Sequence, residues 1–237
     1  MTEVPPPPLG AGLARLFAPR SIAIVGASER PGSFGRRTQE NLAGFAGTLL
    51  PVNPKGGTIL GTPCFPSLSD LPEAPDCVIV ATPRDSVEDV LAQCIEIGAG
   101  GAQVYASGFA EVGTPELVAL QHRLRDRARE GGLRLAGPNS IGFVNFGLAA
   151  GATFMTGLHL DKGFAAPAES RGIGLVSQSG ALGLAFTQAM LCGQFFSHVL
   201  TCGNSSEVDV AACVAFLAHD PECRAIAMNF EGSARPD

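Results

Sequence analysis

The sequence predicts an α/β protein in which helices cover both faces of parallel sheets. Short apolar runs alternate with helical patterns along most of the 237 residues, and this alternation is typical of doubly wound sheets. The 30 glycines and 18 prolines suit the many short turns of such a fold. A hydrophobic content of 46% with 16% charged residues permits a large core. Because the length allows two medium domains, we expect two α/β units.

The first unit is expected over residues 13–146, after a disordered proline-rich tail at residues 1–12. Its predicted strands are Ile22–Val25, Leu49–Val52, Cys77–Ala81, Ala102–Tyr105 and Leu133–Ala136. Its predicted helices are Gly35–Phe45, Ser86–Ile97 and Pro115–Glu130, the last two with Ser86 and Thr114 as N-caps. Each strand ends at a small or turn residue, so the turns share the rim where such sheets bind ligands.

The second unit is expected over residues 171–237, after a linker at residues 147–170 that lacks a clear period. Its predicted strands are Ile173–Val176, Phe196–Thr201 and Ala225–Phe230, with helices at about 180–192 and 208–218 between them. Three strands and two helices make a small domain. We therefore expect the polypeptide to continue beyond residue 237.

The most informative segment is the glycine-rich turn Gly26–Gly35, which joins the first strand to the first helix. Backbone N–H groups at such a turn and at a helix N-terminus bind phosphate. The glycine spacing departs from the dinucleotide pattern G-x-G-x-x-G. The next strand leads to Asn53 and Lys55, where an NAD site would place an acid. A lysine suits a phosphorylated ribose, which NADP and coenzyme A both carry, and a purely structural turn is the other alternative.

Charge and composition exclude several classes of protein. The net charge of −6 argues against nonspecific nucleic-acid binding. No apolar run is long enough for a membrane span, and the N-terminus lacks the pattern of a signal peptide, so we expect a cytoplasmic protein. The seven cysteines form no C-x-x-C pair and the four histidines are scattered, so we expect reduced thiols and no metal site.

A second glycine-bearing turn, Ser177–Ala181, follows the first strand of the second unit. In one interpretation, Ser177, Ser179 and the N–H groups of the next helix bind a phosphoryl group. In another, Ser179 is a nucleophile on a strand–turn–helix elbow, completed by Asp209 and His219. A structural turn is the third alternative.

Two carboxylates also follow predicted strands. Glu111 comes after Gly108-Phe109-Ala110, and Glu231 comes after the last strand. A carboxylate at the carboxyl end of a strand is either a site residue or a solvated acid, and spacing alone leaves both open.

Taken together and in order, these motifs resemble the N-terminal part of NDP-forming (ADP-forming) acyl-CoA synthetases, a family related to the α subunit of succinyl-CoA synthetase. The resemblance runs from about residue 16 to the C-terminus. Each motif is weak alone, but their common register is specific. The motifs are Ser21–Gly35, Pro51–Lys55, Val80–Pro83, Ser107–Glu111, Gly137–Gly142, Ser177–Ala181, Gly203-Asn204 and Glu231-Gly232.

The resemblance implies a Rossmann-like CoA-binding domain followed by a partial flavodoxin-like ligase domain. It implies that CoA contacts Gly26, Ser28, Arg30, Gly32, Ser33, Phe34, Gly35, Asn53, Lys55, Thr82, Pro83, Gly108, Phe109, Glu111 and Asn139. Lys55 would hold the phosphorylated ribose. In the second unit, Ser177, Ser179 and Gly180 would cradle the transferred phosphoryl group, and Glu231 would orient a phosphorylated histidine.

The implied reaction joins a small carboxylic acid to CoA with ATP, through phosphohistidine and acyl phosphate, and releases ADP and phosphate. ATP and Mg²⁺ would bind an ATP-grasp domain or subunit that this sequence lacks. None of the four histidines occupies the phosphohistidine motif, so the chain alone is expected to be inactive. Ser140 stands where succinyl-CoA synthetase has a cysteine. The alternatives are a stand-alone CoA-binding regulatory module and an NADP-binding oxidoreductase, and homo-oligomerisation is left open.

Overall fold

A computed structural model describes residues 12–232. Residues 1–11 of the predicted tail lie outside the described residues. The described part contains two five-stranded sheets and one two-stranded hairpin. In chain order, its N-terminal elements are α1 (Leu13–Phe17), β1 (Ser21–Val25), α2 (Phe34–Asn41), β2 (Thr48–Val52), β3 (Gly57–Ile59), β4 (Thr62–Cys64), β5 (Cys77–Val80), α3 (Val87–Glu96), β6 (Gly101–Val104), α4 (Pro115–Glu130) and β7 (Arg134–Ala136).

The first sheet is parallel, with the order β2-β1-β5-β6-β7, and β3 and β4 form the hairpin. Its central strands are buried on both faces, as parallel sheets require. On one face, Ile22 and Ile79 belong to the same core as Leu16 of α1. On the other, Val78 packs in a core with Leu91 of α3. The predicted class of doubly wound α/β sheet is confirmed.

The second sheet has the order β12-β10-β11-β8-β9. Its elements are β8 (Gly142–Asn145), β9 (Ala150–Thr153), α5 (Leu160–Ala165), β10 (Ile173–Ser177), α6 (Gly180–Ala185), β11 (Phe196–Thr201), α7 (Val210–Ala218) and β12 (Ala225–Asn229). A 3₁₀ helix at Phe186–Cys192 continues α6. Strands β10, β11 and β12 are parallel, as expected, whereas β8 and β9 are antiparallel.

The segment expected to be a linker, residues 147–170, instead contains β9 and α5, and β8 also belongs to the second sheet. Strand β9 consists of small residues, so it lacks the apolar signal of a buried strand. Its packing explains this composition, because a Cβ on Gly151 would lie 2.7 Å from the carbonyl oxygen of Asn41 in α2. The close approach of α2 thus requires small residues in β9, and these residues do not form the apolar pattern by which a strand is predicted.

One apolar core joins the two sheets. The Phe17 ring lies 5.3 Å from the Phe143 ring and 5.6 Å from the Phe216 ring, measured between centroids. These aromatics come from α1, β8 and α7. The sheets therefore share a core, which fixes the turns of one sheet against the turns of the other.

Candidate functional site

A cleft of about 500 Å³ opens at the carboxyl ends of β1, β5 and β6. The turn after β1 forms one wall, and residues that follow β5 and β6 form the others. The predicted site residues that line this cleft are Gly26, Ser28, Arg30, Gly32, Ser33, Phe34, Gly35, Thr82 and Pro83. The structure thus brings most of the predicted phosphate-binding turn to the rim where open α/β sheets bind ligands.

Two glycines give the turn its shape. Gly26 has φ of 90°, and a Cβ there would lie 2.8 Å from the Ala81 carbonyl oxygen. A Cβ on Gly35 would lie 2.1 Å from the Gly26 carbonyl oxygen. Larger residues at either position would collide with backbone, so the first turn of α2 is held directly against the end of β1.

The N-terminus of α2 is aimed at this turn. Ser33 is the N-cap, and its hydroxyl accepts from Arg36 N and donates to the Arg30 carbonyl. Within the described residues, the N–H groups of Phe34 and Gly35 have no hydrogen-bond partner. These N–H groups and the positive end of the helix dipole favour an anion at this position.

Basic side chains surround the same turn. Among the described residues, Arg30 and Lys55 form no ion pair and are exposed. Arg84 lines the cleft, donates to the Gly108 carbonyl at 3.2 Å and pairs with Asp85 at 3.1 Å. Although Glu29 and Asp85 lie on the same rim, Arg30 and Lys55 each place an exposed cationic side chain there.

Thr82 adds a polar group to the cleft wall. Its Oγ1 atom is buried and has no hydrogen-bond partner within the described residues. Unpartnered buried hydroxyls are uncommon because desolvation without a hydrogen bond is costly. The atom is therefore suited to bond a ligand in the cleft.

Asn53 and Lys55 lie at the neighbouring strand end and not on the cleft wall. The Asn53 amide donates to the Ala27 carbonyl at 2.9 Å, and its oxygen accepts from Lys55 N at 3.0 Å. Asn53 thus ties the end of β2 to the glycine-rich turn. The exposed Lys55 ammonium is held on the same edge.

A second group of predicted site residues lies beside the cleft and not on its wall, namely Gly108, Phe109, Glu111 and Asn139. The Glu111 carboxylate accepts from Gly108 N at 2.5 Å and from Phe109 N at 3.1 Å. Phe109 is fully buried in the core. Partial burial raises the pKa of Glu111, but hydrogen bonds from Asn204 and from these N–H groups outweigh it and leave the pKa below its usual value. These contacts organise a turn, and Gly108 joins it to Arg84.

The second glycine-bearing turn forms a strand–turn–helix unit, as predicted. Ser177 is fully buried, and its hydroxyl donates to the Ser179 carbonyl at 2.7 Å. Ser179 caps α6 by accepting from Leu182 N at 3.3 Å. A Cβ on Gly180 would lie 2.8 Å from the Ile141 side chain. The turn is therefore packed against the chain segment that follows Asn139.

Glu231 is exposed at the end of β12, next to this turn. Its N–H donates to the Gln178 side-chain oxygen at 2.6 Å, and the same oxygen accepts from Gly232 N at 3.0 Å. The Gln178 amide also donates to the Gly232 carbonyl at 2.7 Å. Gln178 thus joins Glu231 to the Ser177–Ala181 turn, a contact that the sequence analysis did not assign.

The alternative of a Ser179–Asp209–His219 hydrolase site is not assembled. Asp209 caps the N-terminus of α7 by accepting from Ala212 N, whereas His219 lies at the C-terminal end of the same helix. The His219 ring contacts the Ala215 carbonyl at 2.8 Å. The acid and the histidine are thus at opposite ends of a nine-residue helix, roughly 13 Å long at 1.5 Å per residue.

The cleft wall also contains five residues that were not among the predicted site residues, namely Ala81, Arg84, Tyr105, Ala106 and Ser107. They lie within four residues of the end of β5 or β6, so their place after a buried strand was the available signal. Over residues 12–232, the structure has no group of three or more His, Cys, Asp or Glu side chains that could hold a metal. No helix in that range is both long and apolar enough to cross a membrane.

The fold and the cleft define the class: an α/β protein with a cleft at the carboxyl ends of its first parallel sheet, where the chemistry of the lining suits an anionic ligand. The chain belongs to the CoA binding domain family, which matches residues 20–145. Residues 170–237 match the succinyl-CoA ligase like flavodoxin domain. The two families follow each other in the order that the sequence motifs predicted.

Known proteins with this arrangement cover nearly the whole chain. It is 36% identical over 221 residues to ADP-forming acetate–CoA ligase I of Archaeoglobus fulgidus, a match that spans 93% of this chain and 31% of that enzyme. It is 33% identical to the α subunit of ADP-forming acetate–CoA ligase I of Pyrococcus furiosus, over 93% of this chain and 47% of that subunit. The chain thus spans about a third to a half of these relatives.

A solved structure shows the same fold. The dinucleotide-forming acetyl-coenzyme A synthetase 1 of Candidatus Korarchaeum cryptofilum, in complex with phosphate and ADP, superposes with a TM-score of 0.84 at 33% identity. The match covers 94% of this chain and 46% of that chain. The predicted resemblance to NDP-forming acyl-CoA synthetases is confirmed.

Proposed function

We propose that this chain binds coenzyme A and supplies the CoA-binding and first ligase part of an ADP-forming acyl-CoA synthetase. The observation that carries the proposal is the cleft at Gly26–Gly35, where helix N–H groups with no partner among residues 12–232 lie beside the exposed Arg30 and the Arg84 side chain. The order of the two matched families supports the ligase part.

The cleft matches CoA in chemistry. The diphosphate of CoA would bind the α2 N-terminus and Arg30, because helix N–H groups and guanidinium groups stabilise phosphate oxygens. The pantetheine arm would run past Thr82 and Pro83, where the unpartnered Thr82 hydroxyl can bond an amide. Lys55, at the adjacent strand end, would hold the ribose phosphate.

In this proposal, some of the predicted contact residues act indirectly. The carboxylate of Glu111 is engaged by backbone N–H groups and Phe109 is buried. We assign Gly108, Phe109, Glu111 and Asn139 to shaping the wall through Arg84 and the neighbouring turns. Asn53 supports the glycine-rich turn through Ala27.

The second turn would stabilise the transferred phosphoryl group. In this proposal Ser177, Ser179 and Gly180 present the start of α6 to a phosphohistidine, and Glu231 orients its ring. A carboxylate on the second ring nitrogen fixes the tautomer and stabilises the positive charge of an imidazolium. The histidine, ATP, Mg²⁺ and the ATP-grasp domain or subunit would come from outside this chain, and we place the enzyme in the cytoplasm.

The ligase role is tested in the complete enzyme that carries this chain. With radioactive ATP, Glu231→Gln should lower the yield of phosphohistidine at least about tenfold, since a lost charge-assisted contact is worth about 1.5–3 kcal/mol. Glu222→Gln, at an exposed carboxylate before β12, is the matched control. Wild-type phosphorylation of Glu231→Gln would remove Glu231 from the mechanism.

The isolated chain provides the complementary assay. Incubated with ATP, Mg²⁺, CoA and a panel of short carboxylic acids, it should form no acyl-CoA. Thioester formation by the chain alone would contradict the assignment of phosphoryl transfer to other domains. If the complete protein also forms none but still binds CoA, the alternative of a regulatory CoA-binding module is favoured.

A further inference from the structure

The Gly203-Asn204 motif follows β11 and has no role in the function proposed above. Gly203 has φ of 55°, and a Cβ there would lie 2.4 Å from the Pro138 carbonyl oxygen. Asn204 N donates to that carbonyl at 2.9 Å. The loop after β11 in the second sheet is thus fitted closely against the turn after β7 in the first sheet.

The Asn204 side chain bonds three groups, which come from the turn after β6, from α4 and from the turn after β7. Its amide nitrogen donates to Glu111 Oε2 at 2.5 Å and to Gln121 Oε1 at 2.8 Å. Its oxygen accepts from the Asn139 amide at 3.2 Å. Both donors and the acceptor of one asparagine are used, which fixes the side chain in a single orientation.

From Glu111 the hydrogen bonds continue to the cleft. The carboxylate holds Gly108 N and Phe109 N, and the Gly108 carbonyl accepts from the Arg84 guanidinium. Gly108 has φ of 94°, a conformation that glycine adopts among several of similar energy, so its peptide orientation depends on these bonds. Arg84 lines the cleft. The carboxylate is held ionised, because these hydrogen bonds keep the pKa of Glu111 below its usual value despite partial burial, which raises it.

We infer that Asn204 is a positioning residue for coenzyme A, acting across the sheet boundary through Glu111 and Gly108 on the Arg84 guanidinium. The inference rests on the proposed binding of CoA in the Gly26–Gly35 cleft. Without the Asn204 amide, the Glu111 carboxylate loses its only side-chain donor in residues 12–232. The Gly108 N–H, which donates to that carboxylate, then loses a fixed acceptor. Arg84 then keeps its contact with Asp85 but loses a fixed acceptor at Gly108, so its guanidinium is less well oriented toward the ligand phosphates. CoA affinity in the first sheet would thus depend on a residue of the second.

The test is a double-mutant cycle on the 237-residue chain, with CoA binding measured by calorimetry. Asn204→Ala should weaken CoA binding at least about fivefold, the lower end of typical coupling between sites. Asn204→Asp, which keeps the shape but puts a carboxylate against Glu111, should weaken it at least as much. Ser206→Ala is the matched control, since its hydroxyl donates to the Gly137 carbonyl from the same loop without contacting Glu111.

The cycle separates positioning from a structural effect. In an Arg84→Ala background, Asn204→Ala should change CoA affinity by less than about twofold, because the group that it positions is gone. Affinity within twofold of wild type for both Asn204 variants would overturn the inference, as would an undiminished loss in the Arg84→Ala background. If the wild-type chain does not bind CoA at all, the proposed function fails, and the inference fails with it.

Discussion

Lys55 is exposed at the end of β2, and its neighbour Asn53 ties that strand end to the glycine-rich turn. The proposal that Lys55 holds the ribose phosphate depends on its residue type, because an acid at this edge would select an unphosphorylated ribose. Arg84 differs, since its role depends on a contact with Gly108, 24 positions away, that no local pattern reveals.

We predict that Lys55→Ala weakens CoA binding by about 1.5–3 kcal/mol, the value of a hydrogen bond to a charged group. Dephospho-CoA, which lacks the ribose phosphate, should lose little affinity on the same change. Calorimetry on both ligands measures the difference, with Lys162→Ala on the exposed face of α5 as control. Equal affinities of the wild-type chain for CoA and dephospho-CoA would show that Lys55 has another role.

His198 makes a separate prediction about stability. It is buried in β11, with Asp220 3.8 Å away and the Phe216 ring against it. Burial lowers the pKa of His198 to about 4, a shift that the Asp220 carboxylate only partly opposes. The folded state therefore holds a neutral histidine, while the unfolded chain binds a proton below about pH 6.5.

Stability from this group is complete above about pH 6.5 and is lost as the pH falls toward 4. Between pH 7 and pH 5, the wild-type free energy of unfolding should fall by about 2 kcal/mol more than that of His198→Leu. Urea unfolding at the two pH values gives this difference, and His122→Gln, at an exposed histidine, serves as control. Parallel pH dependence in wild type and His198→Leu would refute the assignment.

At the element scale, the contact between the start of α2 and the end of β1 forms the glycine-rich turn that we propose binds phosphate. Gly35 is where the two elements touch, because a Cβ there would lie 2.1 Å from the Gly26 carbonyl oxygen. The turn can direct the N–H groups of α2 into the cleft only while this distance is kept.

Gly35→Ala should therefore destabilise the fold by about 1–3 kcal/mol, as expected for overpacking, and abolish measurable CoA binding. Gly44→Ala is the matched control, since its Cβ would make an ordinary 3.5 Å contact with Ala149. Urea unfolding and calorimetry on both variants give the two quantities. Retention of wild-type CoA affinity by a folded Gly35→Ala chain would contradict the proposed geometry of the turn.

Elements with strong local signals could be predicted from the sequence. Helix α4 begins and ends where Pro115 and Glu130 predict. The predicted N-caps were wrong in detail, because the side chains of Thr114 and Ser86 accept no hydrogen bond from the first turn of their helices. The Ser86 hydroxyl donates to the Pro83 carbonyl instead. Strand β9 and the β3–β4 hairpin could not be predicted from a sequence pattern. Strand β9 consists of small residues, and β3 and β4 have only three residues each, so no alternation of apolar and polar residues is visible.

For the whole molecule, the order of the motifs predicted the two matched families. The position of the turns was also predictable, since turns after parallel strands share one rim. The sequence did not reveal how the two sheets meet. That contact depends on pairs far apart in the chain, such as Asn204 with Glu111 and Phe17 with Phe143. The domain boundary therefore differs between the sequence pattern and the sheet topology, although the cleft lies at the predicted turns.

The central claim is that the cleft of the first sheet binds coenzyme A. The most direct measurement is a calorimetric titration of the wild-type chain with CoA and, in parallel, with NADP. We predict saturable binding of one CoA per chain, with NADP at least about tenfold weaker, a difference of 1.4 kcal/mol or more. Absence of CoA binding by a folded chain, or tighter binding of NADP than of CoA, would contradict the account.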